Sequence, residues 1–116
     1  MNLPLETLID MLCTMRPTGS RSERKFRRRW LLNLPGAATD PFGNIHVVID
    51  QKDGTPSRVL WSSHTDTVHR ESGRQMVYVT RKRIALSWRS KSNCLGADDT
   101  VGVWLMREMI LAETLE

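Results

Sequence analysis

The 116-residue chain holds only two cysteines, Cys13 and Cys94, a single tyrosine and two phenylalanines, so that aromatic residues make up 6% of it. Two cysteines exclude a disulfide framework or a four-sulfur zinc site built by this chain alone, and both read as reduced thiols. No apolar run approaches the roughly 18 residues of a membrane span, and the N-terminus shows no basic leader followed by an apolar block. A cytoplasmic protein without a membrane partner is the expectation. Internal repeats, low-complexity tracts and linkers are also missing, and the length is near that of one globular unit, which gives a single domain over residues 1–116.

The net positive charge comes from one stretch. Six of the 17 Lys and Arg residues fall between positions 21 and 29 with one acid, Glu23, so this stretch carries +5 and the rest of the chain −1. A basic surface spread over the whole domain is thereby excluded. Arg24, Arg27 and Arg28, at i, i+3 and i+4, can face phosphates, with Arg81-Lys82-Arg83 as a second contact. A solvated helix face is the plainer meaning of such a run, and nucleic-acid binding through the Arg21 to Arg29 helix ranks last among the functional readings.

Leu5, Leu8, Ile9 and Leu12 share one helical face and predict a short amphipathic helix over residues 3–13. Pro17, Thr18 and Gly19 then break the chain. Ser20 with Glu23 forms a capping-box pattern, and a second helix is expected from Arg21 to Leu32, burying Phe26, Trp30 and Leu34 and stopped by Pro35-Gly36. Asp40 to Asn44 reads as a turn before a strand, Ile45 to Ile49. The continuous apolar run Val59-Leu60-Trp61 predicts a strand covered on both faces. Met76 to Thr80 and Ile84 to Trp88 predict a hairpin around Arg81-Lys82-Arg83. Val101, Val103, Trp104, Leu105 and Met109 predict a closing helix that needs cover on more than one side. The expected fold is α/β, a mixed sheet flanked by helices.

Two places carry chemistry. His64 follows the apolar run, at the kind of strand end where ligands gather in open α/β sheets, and Asp66 lies two residues on. In extended chain these side chains share a face, so Asp66 can accept the imidazole N–H and leave the other ring nitrogen for a metal. Gly96-Ala97-Asp98-Asp99 opens the last helix, whose N-terminus favours carboxylates and fixes their direction, and Gly96 permits close backbone approach where Asp98 turns inward. Taken singly, a His-x-Asp triplet is more often a surface turn and an Asp pair more often a cap. Together they place metal donors at two loop ends. His69 reads as an exposed loop histidine, His46 as a half-buried or solvent-facing strand residue, and Cys94 as a plain thiol near the site. The four tryptophans read as core packing.

Ser62-Ser63-His64-Thr65-Asp66-Thr67-Val68 followed by Leu95-Gly96-Ala97-Asp98-Asp99-Thr100-Val101-Gly102-Val103 resembles the two N-terminal motifs of the co-catalytic zinc exopeptidases. This family includes peptidase T, glutamate carboxypeptidase, aminoacylase and succinyl-diaminopimelate desuccinylase. The resemblance extends from the leading helix through Pro17-Thr18-Gly19-Ser20 and the Asp40 to Asn44 turn to the closing helix. It implies the first part of a phosphorylase/hydrolase-like catalytic domain that cleaves terminal peptide or N-acyl amino acid amide bonds. It implies two zincs per complete site, with cobalt or manganese as substitutes. His64 would ligate one metal, Asp66 would clamp the imidazole as a catalytic residue, and Asp98 would bridge both metals. Asp99 is the other candidate for the bridge, and Asp98 is preferred because the family ligand lies four residues before the glycine matching Gly102.

The chain departs from the family in having Thr100 where a Lys is common. The family's general-base Glu, its adjacent metal-binding Glu, a further carboxylate and a final His lie downstream of position 116, and Glu108, Glu113 and Glu116 form no Glu-Glu pair. The resemblance therefore implies a truncated or split N-terminal portion whose site is completed by a second polypeptide or by self-association. An inactive metal-binding or interaction remnant is the alternative.

Overall fold

A computed structural model describes residues 4–56 and 58–114. Its elements in chain order are α1 (Leu5–Leu12), β1 (Thr14–Met15), α2 (Arg21–Trp30), β2 (Ala38–Thr39), β3 (Ile45–His46), β4 (Gly73–Arg74), β5 (Val77–Val79), β6 (Ile84–Leu86) and α3 (Ala97–Thr114). The architecture is α/β in its mixture of helices and short strands. The mixed sheet is corrected: the described strands form three separate two-stranded antiparallel ladders, β1 with β4, β2 with β3 and β5 with β6.

α1 buries Leu8, Met11 and Leu12 and leaves Leu5 exposed, which turns the expected stripe toward α3. Leu8, Met11, Leu12, Phe26, Val103 and Trp104 form the core, with Trp30, Leu31, Val77, Ile84 and Leu95 packed against it. α2 starts where the capping pattern places it: Ser20 Oγ accepts from Glu23 N at 3.2 Å. The reciprocal bond lands one residue early, with Glu23 Oε1 accepting from Gly19 N at 2.7 Å. Arg107 closes the other end of α2 by donating to the Trp30 carbonyl at 3.0 Å.

The Asp40 to Asn44 turn joins β2 to β3, and its Asp40 carboxylate accepts from Phe42 N, Asn44 N and His46 Nε2. The hydrogen bond from His46, working against desolvation and joined by those from Asn44 and Phe42, holds the Asp40 carboxyl well below the usual carboxylate range. The expected hairpin at 76–88 is present as β5 and β6 in register Val77 with Leu86.

Residues 47–62 differ from expectation. Ladder pairing stops at His46, and Val59, Leu60 and Trp61 are exposed and outside any described ladder, Leu60 to 90%. Their apolar run has the composition of a covered strand, yet no covering layer lies over it among the described residues. Trp104 is buried and Trp30 half-buried, as core packing requires, whereas Trp61 and Trp88 face solvent. α3 packs one face on α1 through Val103 and Trp104 and leaves Val101, Leu105 and Met109 open, so the wider cover expected of it is absent from the described residues. None of the described helices is long and apolar enough to cross a membrane.

Candidate metal centre

The segment after the exposed run crosses back to the core at Thr67, whose N–H donates to the Arg16 carbonyl at 2.7 Å. This contact, with β1 beyond it, positions the residues just before it. His64 and Asp66 project on the same side, as an extended i, i+2 pair must. His64 Nδ1 lies 2.8 Å from the Asp66 carbonyl oxygen and 3.1 Å from Asp66 Oδ1. Both neighbours are acceptors, so Nδ1 carries the hydrogen and donates. Asp66 is held in turn by Thr18, which donates to Oδ2 at 2.5 Å.

The free ring nitrogen faces the second motif. His64 Nε2 is 3.0 Å from Asp98 Oδ1, across 34 residues of chain. Asp98 and Asp99 have non-helical backbone at the mouth of α3, and the peptide bond between them is cis. Asp98 points out, its side chain 93% exposed. Asp99 turns back over the helix, and its carboxylate fills the space that a Cβ on Gly102 would occupy. The structure thus brings together His64, Asp66 and Asp98 and directs Asp99 elsewhere.

Both ring nitrogens of His64 meet carboxylate or carbonyl oxygens. Without a metal, this arrangement requires a hydrogen on each nitrogen, which is the imidazolium. Partial burial pulls the His64 pKa down, and the Asp98 hydrogen bond, the Asp66 carbonyl and the Asp66 charge together outweigh it, so the net direction is upward. Asp66 moves down, chiefly through the Thr18 hydrogen bond. A metal cation held by His64 and Asp98 would take the place of the second proton. Two ligands at about 2.0 to 2.2 Å from a tetrahedral zinc sit about 3.3 Å apart, a few tenths of an ångström beyond the distance found here. An imidazole nitrogen and a carboxylate oxygen are ordinary zinc donors, so this pair fits the metal. No group of three or more His, Cys, Asp and Glu side chains able to hold a metal occurs among the described residues. The described residues offer two donors here and no third.

The reading of His69 is overturned. It is buried, 5% exposed, with Nδ1 2.5 Å from Thr67 Oγ1 and Nε2 3.0 Å from both Gln75 Oε1 and the Cys94 carbonyl. A polar loop sequence conceals this because Gln75 and the Cys94 carbonyl close over the ring from six and 25 residues further on. The role of Gly96 changes with it. Gly96 has φ +82°, and a Cβ there would stand 2.7 Å from His69 Cε1, so it is His69 that needs a glycine here. His46 is exposed, its Nε2 2.8 Å from Asp40 Oδ2. Cys13 and Cys94 are free thiols.

Arg16 was not singled out by motif or spacing. It is fully buried and donates to the carbonyls of Thr65, Met11 and Thr14 and to Thr100 Oγ1, with its guanidinium 3.8 Å from the Phe26 ring centre. Burial lowers its pKa to about 10 against the opposing charges of Glu23 and Asp66, so it stays a cation at neutral pH. Its one signal in the sequence is position: it stands apart from the basic stretch, directly before Pro17. Glu23 is a second unsuspected contributor, accepting from Thr65 Oγ1 at 2.5 Å. No family model, curated protein or solved structure matches the chain.

Proposed function

We propose that the chain supplies one half of a co-catalytic zinc centre of the exopeptidase and amidohydrolase type. The observation that carries this reading is the geometry of His64, with Nδ1 saturated by Asp66 while Nε2 converges with Asp98 Oδ1 at 3.0 Å. Such a histidine is oriented by a carboxylate and presents its remaining nitrogen as a ligand.

In this reading His64 and Asp98 hold the metal, and Asp66 fixes the tautomer and the ring direction. Thr18 keeps the Asp66 carboxylate turned toward the ring. Zinc, or cobalt or manganese in its place, polarises the carbonyl of a terminal peptide or N-acyl amino acid bond when bound. The exposure of Asp98 leaves its outer edge free for a second metal and for the groups that complete the set. The general base and the remaining ligands come from a second polypeptide, from a second copy of this chain or from sequence beyond the described residues. The open face of α3, with Val101, Leu105 and Met109, supports association. A metal-binding or interaction module without catalysis is the second reading, and the two-donor set favours it as long as the chain acts alone.

The test is zinc bound per chain after dialysis, compared with a His64→Ala, Asp98→Ala double variant. Retained zinc that disappears in the variant supports the centre, and a stoichiometry near two marks a site completed by self-association. Equal zinc in both proteins removes the reading.

A further inference from the structure

Among the described residues, no ladder pairs the segment that bears His64 with the one that bears Asp98. His64 belongs to the loop before Thr67, and Asp98 to the turn before the regular part of α3. One side chain touches both. Arg16 Nε donates to the Thr65 carbonyl at 2.7 Å, in the peptide between Thr65 and Asp66. Arg16 Nη2 donates to Thr100 Oγ1 at 2.5 Å, two residues past Asp98. Nη1 ties the same guanidinium to the end of α1 through the Met11 and Thr14 carbonyls, each at 3.0 Å. The backbone of Arg16 adds two more links to the loop, donating to Thr67 Oγ1 at 3.0 Å and accepting from Thr67 N at 2.7 Å. Thr100 passes the constraint on by donating to the Gly96 carbonyl at 2.6 Å, which closes the turn that bears Asp98.

The chemistry of guanidinium suits this task. Its donors lie in one rigid plane at fixed angles, so acceptors on two segments are held at a set distance. An ammonium offers the charge from a single nitrogen and cannot reach both places. Six hydrogen bonds on one residue, four of them to Thr65, Thr67 and Thr100 from 49 to 84 residues away, distinguish this arginine from a buried charge that merely has to be satisfied.

We infer that Arg16 is the positioning residue of this centre, clamping the His64 loop to the Asp98 turn so that Nε2 and Oδ1 converge. The inference rests on the zinc reading for its purpose and on hydrogen bonds alone for its geometry, and the two separate experimentally. The experiment uses the full chain with Arg16→Lys, with Thr100→Val, and with Leu34→Ala as a control that loosens a buried side chain away from the network. The first readout is the ring nitrogens of His64 in metal-free protein, by long-range proton–nitrogen NMR correlation. The second is Co2+ affinity, by visible absorption.

Arg16→Lys and Thr100→Val shift and average the His64 ring signals and weaken Co2+ binding about tenfold or more, the usual scale for residues that orient a ligand. Leu34→Ala lowers the melting temperature and leaves both readouts unchanged. If Arg16→Lys does not fold, Thr100→Val decides alone, because it removes one hydroxyl at nearly constant volume. Native His64 ring signals in folded Thr100→Val overturn the inference. Absence of Co2+ uptake by the unmodified chain, with the ring signals still responding to Thr100→Val, removes the zinc reading and leaves the positioning role standing.

Discussion

Two regions of this molecule invert the usual distribution of polarity. Around His64 and Asp98, the residues Arg16, Thr67, His69, Gln75 and Thr100 are all buried and are joined in a network of hydrogen bonds. In residues 47–62, Val48, Val59, Leu60 and Trp61 are exposed. The first region buries polar groups at a cost that only complete pairing offsets, and it is rigid for that reason. The second exposes apolar surface that nothing in the described chain covers. The polar network meets its partners within the described chain, whereas the apolar run leaves its surface open to solvent.

The comparison breaks most sharply at Arg16. Arg16→Met leaves four acceptors without a donor, two of them in the core, and costs about 3 kcal/mol or more by urea denaturation, a large share of the stability of a small domain. A cost near that of an ordinary surface change would show that the polar network does not hold the fold. Gly96→Ala follows: the new Cβ must displace His69, and φ +82° strains any L side chain, for a loss of about 1 to 3 kcal/mol. Calorimetric melting of the variant checks it.

Opposed responses to pH sharpen the same contrast. The folded-state pKa of His64 is raised above the ordinary value of 6.5, so the stabilisation of the metal-free chain from its imidazolium pairs is fully present below that value. It fades as pH rises through the folded pKa. Zinc affinity runs the other way, because metal and proton compete for Nε2, and it climbs over the same window. Melting curves and zinc titrations from about pH 5 to 8 read both limbs. Parallel rather than crossing trends would separate His64 from the metal.

The smallest effect belongs to the exposed run. Leu60→Ser changes the stability of the monomer by about 0.5 kcal/mol or less, since its side chain is already in water. Its effect appears in sedimentation instead, where any self-association mediated by this surface weakens.

What could be read in the sequence was local. Ser20 and Glu23 lie three residues apart and specify the start of α2 by themselves, and His64 with Asp66 needs only the alternation of extended chain. Asp98 was preferred to Asp99 only through the resemblance, whose family ligand lies four residues before the glycine matching Gly102, and in the structure the two carboxylates point in different directions. The network beneath was hidden because Arg16 meets Thr65 and Thr100 across 49 and 84 residues of chain, and nothing in the neighbourhood of a lone arginine announces such partners. The burial of His69 was hidden in part the same way, since the Cys94 carbonyl reaches it across 25 residues. Val59-Leu60-Trp61 failed differently: its pattern describes a strand that wants cover, and a pattern cannot supply the neighbour.

The tryptophans distribute themselves across this divide. Trp104 is buried, and its indole N–H has no hydrogen-bond partner among the described residues, while Trp61 and Trp88 stand in water. A collisional quencher added to the solution therefore addresses two fluorescent populations in one unlabelled molecule. The accessible fraction reports whatever settles on the exposed run, and the protected fraction reports whether α1 and α3 remain docked while it does.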